Sequence, residues 1–205
     1  MDNYLKKDVE KVAKGLLSHG VTSFVPTLVT SPSEHYHKII PVLQRREGTK
    51  DRAGVLGVHL EGPFINLEKK GAHHPDYISK FDKGFSDVEK MYGCLDNVSV
   101  VTLAPELMGS HDVIKKLTQK GITVSLGHSM ANLNDGEEAV KAGASFITHL
   151  FNAMLPVSRI STIRKILRIV EIISVNFCES SEDIKTKQFV LSFSSTIEIL
   201  IWWAS

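Results

Sequence analysis

The chain lacks the features that would place it in several common classes. Its 205 residues include two cysteines, Cys94 and Cys178, too few for a disulfide framework or a thiolate zinc site. No apolar run reaches the ~18 residues that a bilayer span needs. Met1 to Lys7 opens a charged amphipathic helix rather than the apolar centre of a secretion signal. Charge of neither sign prevails: 24 Lys and Arg against 23 Asp and Glu leave a net charge of +1. Such a balance gives no field for nucleic acid or an anionic membrane surface. The sequence therefore predicts a soluble, cytoplasmic chain with neither nucleic acid nor membrane as its partner.

Glycine and proline are missing from one part of the chain only. All 14 glycines lie at or before Gly143, and all seven prolines at or before Pro156. The 48 residues from Ser158 to Ser205 contain neither, where ordinary usage of ~12% for the pair would supply about six. A domain of alternating helices and strands needs these residues at its turns. The chain thus divides into residues 1–157 and a tail, 158–205, of different origin and no assignable fold. In the tail, Arg159, Arg164, Lys165 and Arg168 precede Ile169 to Val175 in a mildly basic amphipathic stretch. A helix replacing a lost packing surface is the simpler reading than one lying on a membrane. Phe189 to Trp203 reads as an aggregation-prone apolar strand or helix.

Residues 1–157 carry a regular alternation. Val9, Val12, Ala13, Leu16 and Leu17 share a helical face, and Gly20 ends that helix. Val21–Val25 reads as a strand closed by Pro26 and Thr27. A helix follows from Ser33 to about Arg45, with Pro41 as a kink. Gly54–Glu61 and Asn97–Leu103 are nearly continuous apolar runs, as strands covered on both faces are. Ser110 caps a helix that Gly121 stops; Ile122–Leu126 is a strand; Asn134 begins a helix ending at Gly143; Ala144–His149 is the last strand. Buried strands spaced by helices imply a parallel α/β sheet, doubly wound or a barrel. Five strands fall short of the eight of a complete barrel. There is no internal repeat and no glycine-rich phosphate loop.

Three strands end in a potential metal ligand: Glu61, His128 and His149. In a parallel barrel the carboxyl ends of the strands converge on the face that carries active sites. One carboxylate and two imidazoles form a hydrolytic zinc set with a coordination position left open. Each residue alone also has a plainer explanation, since strand-end histidines usually make structural hydrogen bonds and a Glu beside Gly-Pro is usually a turn carboxylate. For His59, two residues before Glu61 on the same strand face, a packed, hydrogen-bonded role is favoured. Glu106 reads as a second carboxylate at the mouth or, more simply, as an ordinary strand-end carboxylate. His19, His35, His37 and His111 fall on helices or their ends, at the surface.

The wording of the motifs is specific. His59-Leu60-Glu61-Gly62-Pro63-Phe64, Lys69-Lys70-Gly71-Ala72-His73, Leu103-Ala104-Pro105-Glu106, Gly127-His128-Ser129 and Thr148-His149-Leu150-Phe151-Asn152-Ala153-Met154 occur in this order. Together with Gly20 to Thr27 they closely resemble the N-acetylglucosamine-6-phosphate deacetylases, over residues 1 to about 157. The resemblance implies a partial (β/α)8, TIM-type barrel of the metal-dependent amidohydrolase kind. It implies that Glu61, His128 and His149 bind a divalent metal, most simply Zn2+, and that Ala72, His73, Asn152 and Ala153 contact substrate. The implied reaction is hydrolysis of N-acetylglucosamine 6-phosphate to glucosamine 6-phosphate and acetate, in a homo-oligomer. In the family, an Asp from a later strand moves the proton. No equivalent catalytic Asp is identified here, because Asp183, in a polar segment, is the only Asp after Asp135. Two further readings follow: an inactive truncated isoform that binds metal or associates with the full-length enzyme, and an amidohydrolase acting on another amide.

Overall fold

The computed structural model describes residues 2–149 and the pair Leu200–Ile201. Its elements, in chain order, are α1 (Asp2–Ser18), β1 (Ser23–Val25), β2 (Thr27–Val29), α2 (Ser33–Ile39), β3 (Gly54–Val55), β4 (Val58–Glu61), α3 (Phe85–Tyr92), β5 (Val98–Leu103), α4 (Ser110–Gln119), β6 (Thr123–Leu126), α5 (Leu133–Lys141), β7 (Phe146–Ile147) and β8 (Leu200–Ile201). Strands β2-β4-β5-β6-β7 form one sheet in that order, every pairing parallel. A smaller sheet, β3-β1-β8, pairs β1 in parallel with β3 and antiparallel with β8. Strands added in chain order with helices between them form a partial (β/α) barrel.

Four of the five expected strand runs contribute to the larger sheet; the first, Val21–Val25, supplies β1 of the smaller one. That run ends at Pro26, as expected, since proline lacks the N–H that a ladder position needs. Gly54 to Glu61 divides at Gly57, whose φ is +130° and where a Cβ would collide with the side chain of Ser99. Beyond Pro26 a strand that was not expected, β2, joins the main sheet: Thr27 pairs with His59 and Val29 with Glu61.

Helix ends shift for local reasons. α2 stops at Ile39 rather than near Arg45: Ile40 keeps helical angles, but Pro41 has no N–H with which to continue the ladder. Ser110 does not cap α4: the cap position is Gly109, and the Ser110 hydroxyl instead donates to the carbonyl of Pro105. Asn132, not Asn134, caps α5, exchanging hydrogen bonds with Asp135 in a capping box. α3 lies in a stretch where no helix was expected, and buries Phe85, Val88 and Tyr92.

The strands place alternate side chains on opposite faces. Val58, Leu60, Val98, Val101, Leu103, Val124 and Leu126 join Phe85, Val88, Val113, Ile114 and Leu117 in the main core between sheet and helices. The other face carries His59, Glu61, Thr102 and Ser125, all buried. These are polar residues on the barrel's interior side, and that face holds the site. No helix among the described residues is long and apolar enough to cross a membrane. The tail, Leu200–Ile201 excepted, lies outside the described residues, as do Asn152 and Ala153.

Candidate metal centre

Glu61 ends β4, His128 follows β6 after Gly127, and His149 follows β7. Parallel strands with these registers bring the three ends together: their ligating atoms lie within 4.8 Å of one another, a group able to hold a metal ion. Glu61 Oε1 is 2.7 Å from His128 Nε2 and 2.8 Å from His149 Nε2. The two rings meet edge to face at 4.9 Å. Both histidines have left-handed backbones, with φ of 50° for His128 and 56° for His149. Such conformations cost a non-glycine residue about 1–3 kcal/mol and persist where the surroundings enforce them, often at functional sites.

The hydrogen bonds around His128 fix its tautomer. Its Nδ1 lies 2.7 Å from the carbonyl of Lys69; a carbonyl only accepts, so Nδ1 carries a hydrogen and Nε2 faces inward. This is the outer-sphere arrangement typical of metal-binding histidine. Glu61 is 2% exposed. Burial alone would push its carboxyl up, but contacts with His128, His149 and His73 outweigh burial and hold it well below the usual carboxylate range.

His73 stands beside the cluster, 6% exposed, with Nε2 3.8 Å from Glu61 Oε1 and its ring 4.5 Å from that of His128. The backbone N–H of Thr30 points at His73 Nδ1 at 3.3 Å, and the Thr30 hydroxyl lies 2.7 Å from the same atom. A backbone N–H only donates, so Nδ1 accepts and Nε2 carries the hydrogen. His73 thus presents a donor to the cavity and not a lone pair. Ala72, just before it, is exposed. The loop after Glu61 is anchored at Gly62, whose carbonyl accepts from Tyr92 at 2.8 Å and Tyr36 at 3.4 Å. Its φ of +70° and the nearness of Thr30 leave no room for a Cβ.

Beneath the cluster runs a chain of polar groups, of which the sequence reading named only His59, in the packed, hydrogen-bonded role it has here. His59 Nδ1 is 3.0 Å from Thr27 Oγ1, and its Nε2 is 2.7 Å from Thr102 Oγ1. Thr102 Oγ1 continues to Thr148 Oγ1 at 2.9 Å, which meets Ser125 Oγ at 2.6 Å. Alternation of these residues with Val58, Leu60, Val101, Leu103 and Val124 was the available signal. Glu106 is not idle either: it accepts from Asn66, Ser129 and Met130. His19, His35, His37 and His111 are exposed and away from the site.

No protein-family model matches the chain. It is 63% identical over 149 residues to N-acetylglucosamine-6-phosphate deacetylase of Rattus norvegicus, covering 72% of this chain and 36% of that protein. The chain thus spans little more than a third of the length of the curated relatives it matches. Among solved structures, the Thermotoga maritima deacetylase has a TM-score of 0.64 at 29% identity, covering 76% of this chain and 41% of that one. The Mycobacterium smegmatis deacetylase has a TM-score of 0.59 at 36% identity, covering 69% and 36%. It is an aspartate-to-alanine variant in complex with N-acetyl-D-glucosamine-6-phosphate. Fold and donor set define a partial parallel barrel of the amidohydrolase type with a cluster able to hold a metal ion. Within that class, the chain belongs to the N-acetylglucosamine-6-phosphate deacetylase family.

Proposed function

We propose that this chain carries the metal-binding part of a deacetylase that hydrolyses the acetamide of N-acetylglucosamine 6-phosphate, with Zn2+ held by Glu61, His128 and His149. The observation that carries this reading is the meeting of two imidazole nitrogens on one carboxylate oxygen. With Nδ1–H of His128 committed to Lys69, Nε2 and Glu61 Oε1 would face each other at 2.7 Å as two lone pairs. A cation or a proton must lie between them. One carboxylate with two neutral imidazoles is a zinc donor set, so the residues fit the ion. The ion would supply Lewis-acid chemistry, polarising the acetamide carbonyl and acidifying the attacking water.

The chain's own residues do the rest. Glu61 contributes an ionised carboxylate, and the left-handed turns at His128 and His149 aim two nitrogens at it. His73, with its hydrogen on Nε2, offers a donor to a substrate oxygen beside the ion. Asn152 and Ala153 are assigned to the sugar by the family motif. Cytoplasmic location and homo-oligomer formation belong to the same reading and rest on the family resemblance. The test is zinc binding by the purified 205-residue chain. One equivalent should bind, and Glu61→Gln and His128→Ala should each abolish it, whereas His19→Ala should not. Unchanged zinc uptake by both site variants would overturn the assignment.

A further inference from the structure

We propose that Glu106 is a positioning residue that holds His128 in its metal-binding conformation; this rests on the metal reading above. Glu106 is half-buried and makes no ion pair among those found in the described residues. Its carboxylate instead collects three neutral donors. Oε1 accepts from Asn66 Nδ2 at 2.9 Å and from the Met130 N–H at 2.6 Å; Oε2 accepts from Ser129 Oγ at 2.6 Å. Hydrogen bonds to an ionised acceptor are about twice as strong as neutral ones.

All three donors belong to segments that grip His128. Ser129 and Met130 are the two residues that follow it. Asn66 precedes the short turn Leu67–Lys69, which it caps by accepting from Glu68 N at 2.9 Å. That turn touches His128 at both ends: Asn66 N–H donates to the His128 carbonyl at 2.9 Å, and the Lys69 carbonyl accepts from His128 Nδ1 at 2.7 Å. Glu106 is therefore the common anchor of the loop that orients the ring and the loop that carries it. A left-handed histidine, with φ of 50°, needs such over-determination. Release of the anchor frees the backbone at His128 to relax and swing Nε2 away from Glu61. The nearest of these donors binds one residue beyond the ligand, so Glu106 acts through His128 and not on the ion.

The experiment compares the zinc affinity of the full chain with that of Glu106→Gln, Ser129→Ala and His128→Ala, by competition with a chromophoric chelator. The d–d absorption of the Co2+ form and the urea midpoint of the metal-free form are followed alongside. Glu106→Gln keeps the shape but loses at least one acceptor. It should weaken zinc binding about 10–100-fold, the range for outer-sphere partners of metal ligands, and should alter the Co2+ spectrum. Ser129→Ala should shift affinity the same way by less. A purely structural role predicts a lowered urea midpoint with unchanged Co2+ spectrum and affinity. Zinc affinity within twofold of the parent in Glu106→Gln, with binding lost in His128→Ala, would overturn the clamp while leaving the metal site standing. Should Glu106→Gln not fold, unaltered affinity in Ser129→Ala overturns it instead. Equal binding by the parent and His128→Ala would sink the metal reading itself, and the clamp with it.

Discussion

His59 occupies the interior face two residues before Glu61, fully enclosed, with a hydroxyl on each ring nitrogen. Burial pushes its imidazole down to about 4, against the opposing pull of Glu61. In the unfolded chain the same group titrates near 6.5. Between ~6.5 and ~4 the unfolded state takes up a proton that the folded state refuses. The stability tied to His59 is therefore complete above pH ~6.5 and lost as the pH falls toward 4, by up to about 3 kcal/mol. Glu61, also held below its ordinary value, adds a loss in the same direction below ~4.5. The urea midpoint of the metal-free chain should thus fall between pH 7 and pH 4.5, and His59→Gln should flatten that fall. An unaltered slope in the variant would count against the buried neutral imidazole. His73 gives a second outcome at this scale. Placed in a full-length relative, His73→Ala should raise KM about tenfold, as loss of one donor worth ~1.4 kcal/mol would. His19→Ala, at the surface, should leave KM unchanged.

Among the elements, Leu103 on β5 is fully enclosed and joins sheet to helices. Leu103→Ala should cost 2–5 kcal/mol in urea unfolding, while Met108→Ala, 86% exposed, should stay within about 0.5 kcal/mol. The strand runs were legible in the sequence because both faces of such strands are covered and their apolar character is continuous. The end at Pro26 was legible too, but β2 beyond it and the break at Gly57 were not, since three residues and one glycine carry meaning only once the neighbouring strand is known. α3 was missed although Phe85, Val88 and Tyr92 repeat at helical spacing; it begins after Gly84 with no side-chain cap. The clustering of Glu61, His128 and His149 was readable from strand ends, because a parallel barrel gathers those ends wherever they lie in sequence. The roles of Thr30, Lys69 and Glu106 were not, because each depends on a loop meeting another loop. A backbone carbonyl such as that of Lys69 leaves no trace in residue identity.

The molecule as a whole carries a cluster able to hold a metal ion, but only Asp183 follows Asp135 in the chain. A carboxylate that moves the proton to a leaving amine is typically worth ~10²–10⁴-fold. The 205-residue chain loaded with zinc should release glucosamine 6-phosphate more slowly than a full-length relative by at least that factor. Comparable turnover in a side-by-side assay would mean that the tail supplies a proton-transfer group. The strand order β2-β4-β5-β6-β7 has a further consequence, one of timing. Each strand of that sheet pairs with the one before it, so the sheet can grow in the direction in which the ribosome delivers it, one unit after another. Glu61 arrives on the second strand, His128 after the fourth and His149 only after the fifth. An arrested, partly emerged chain can hold two of the donors but never three. On the metal reading proposed above, capture of the ion marks the moment when this sheet is complete.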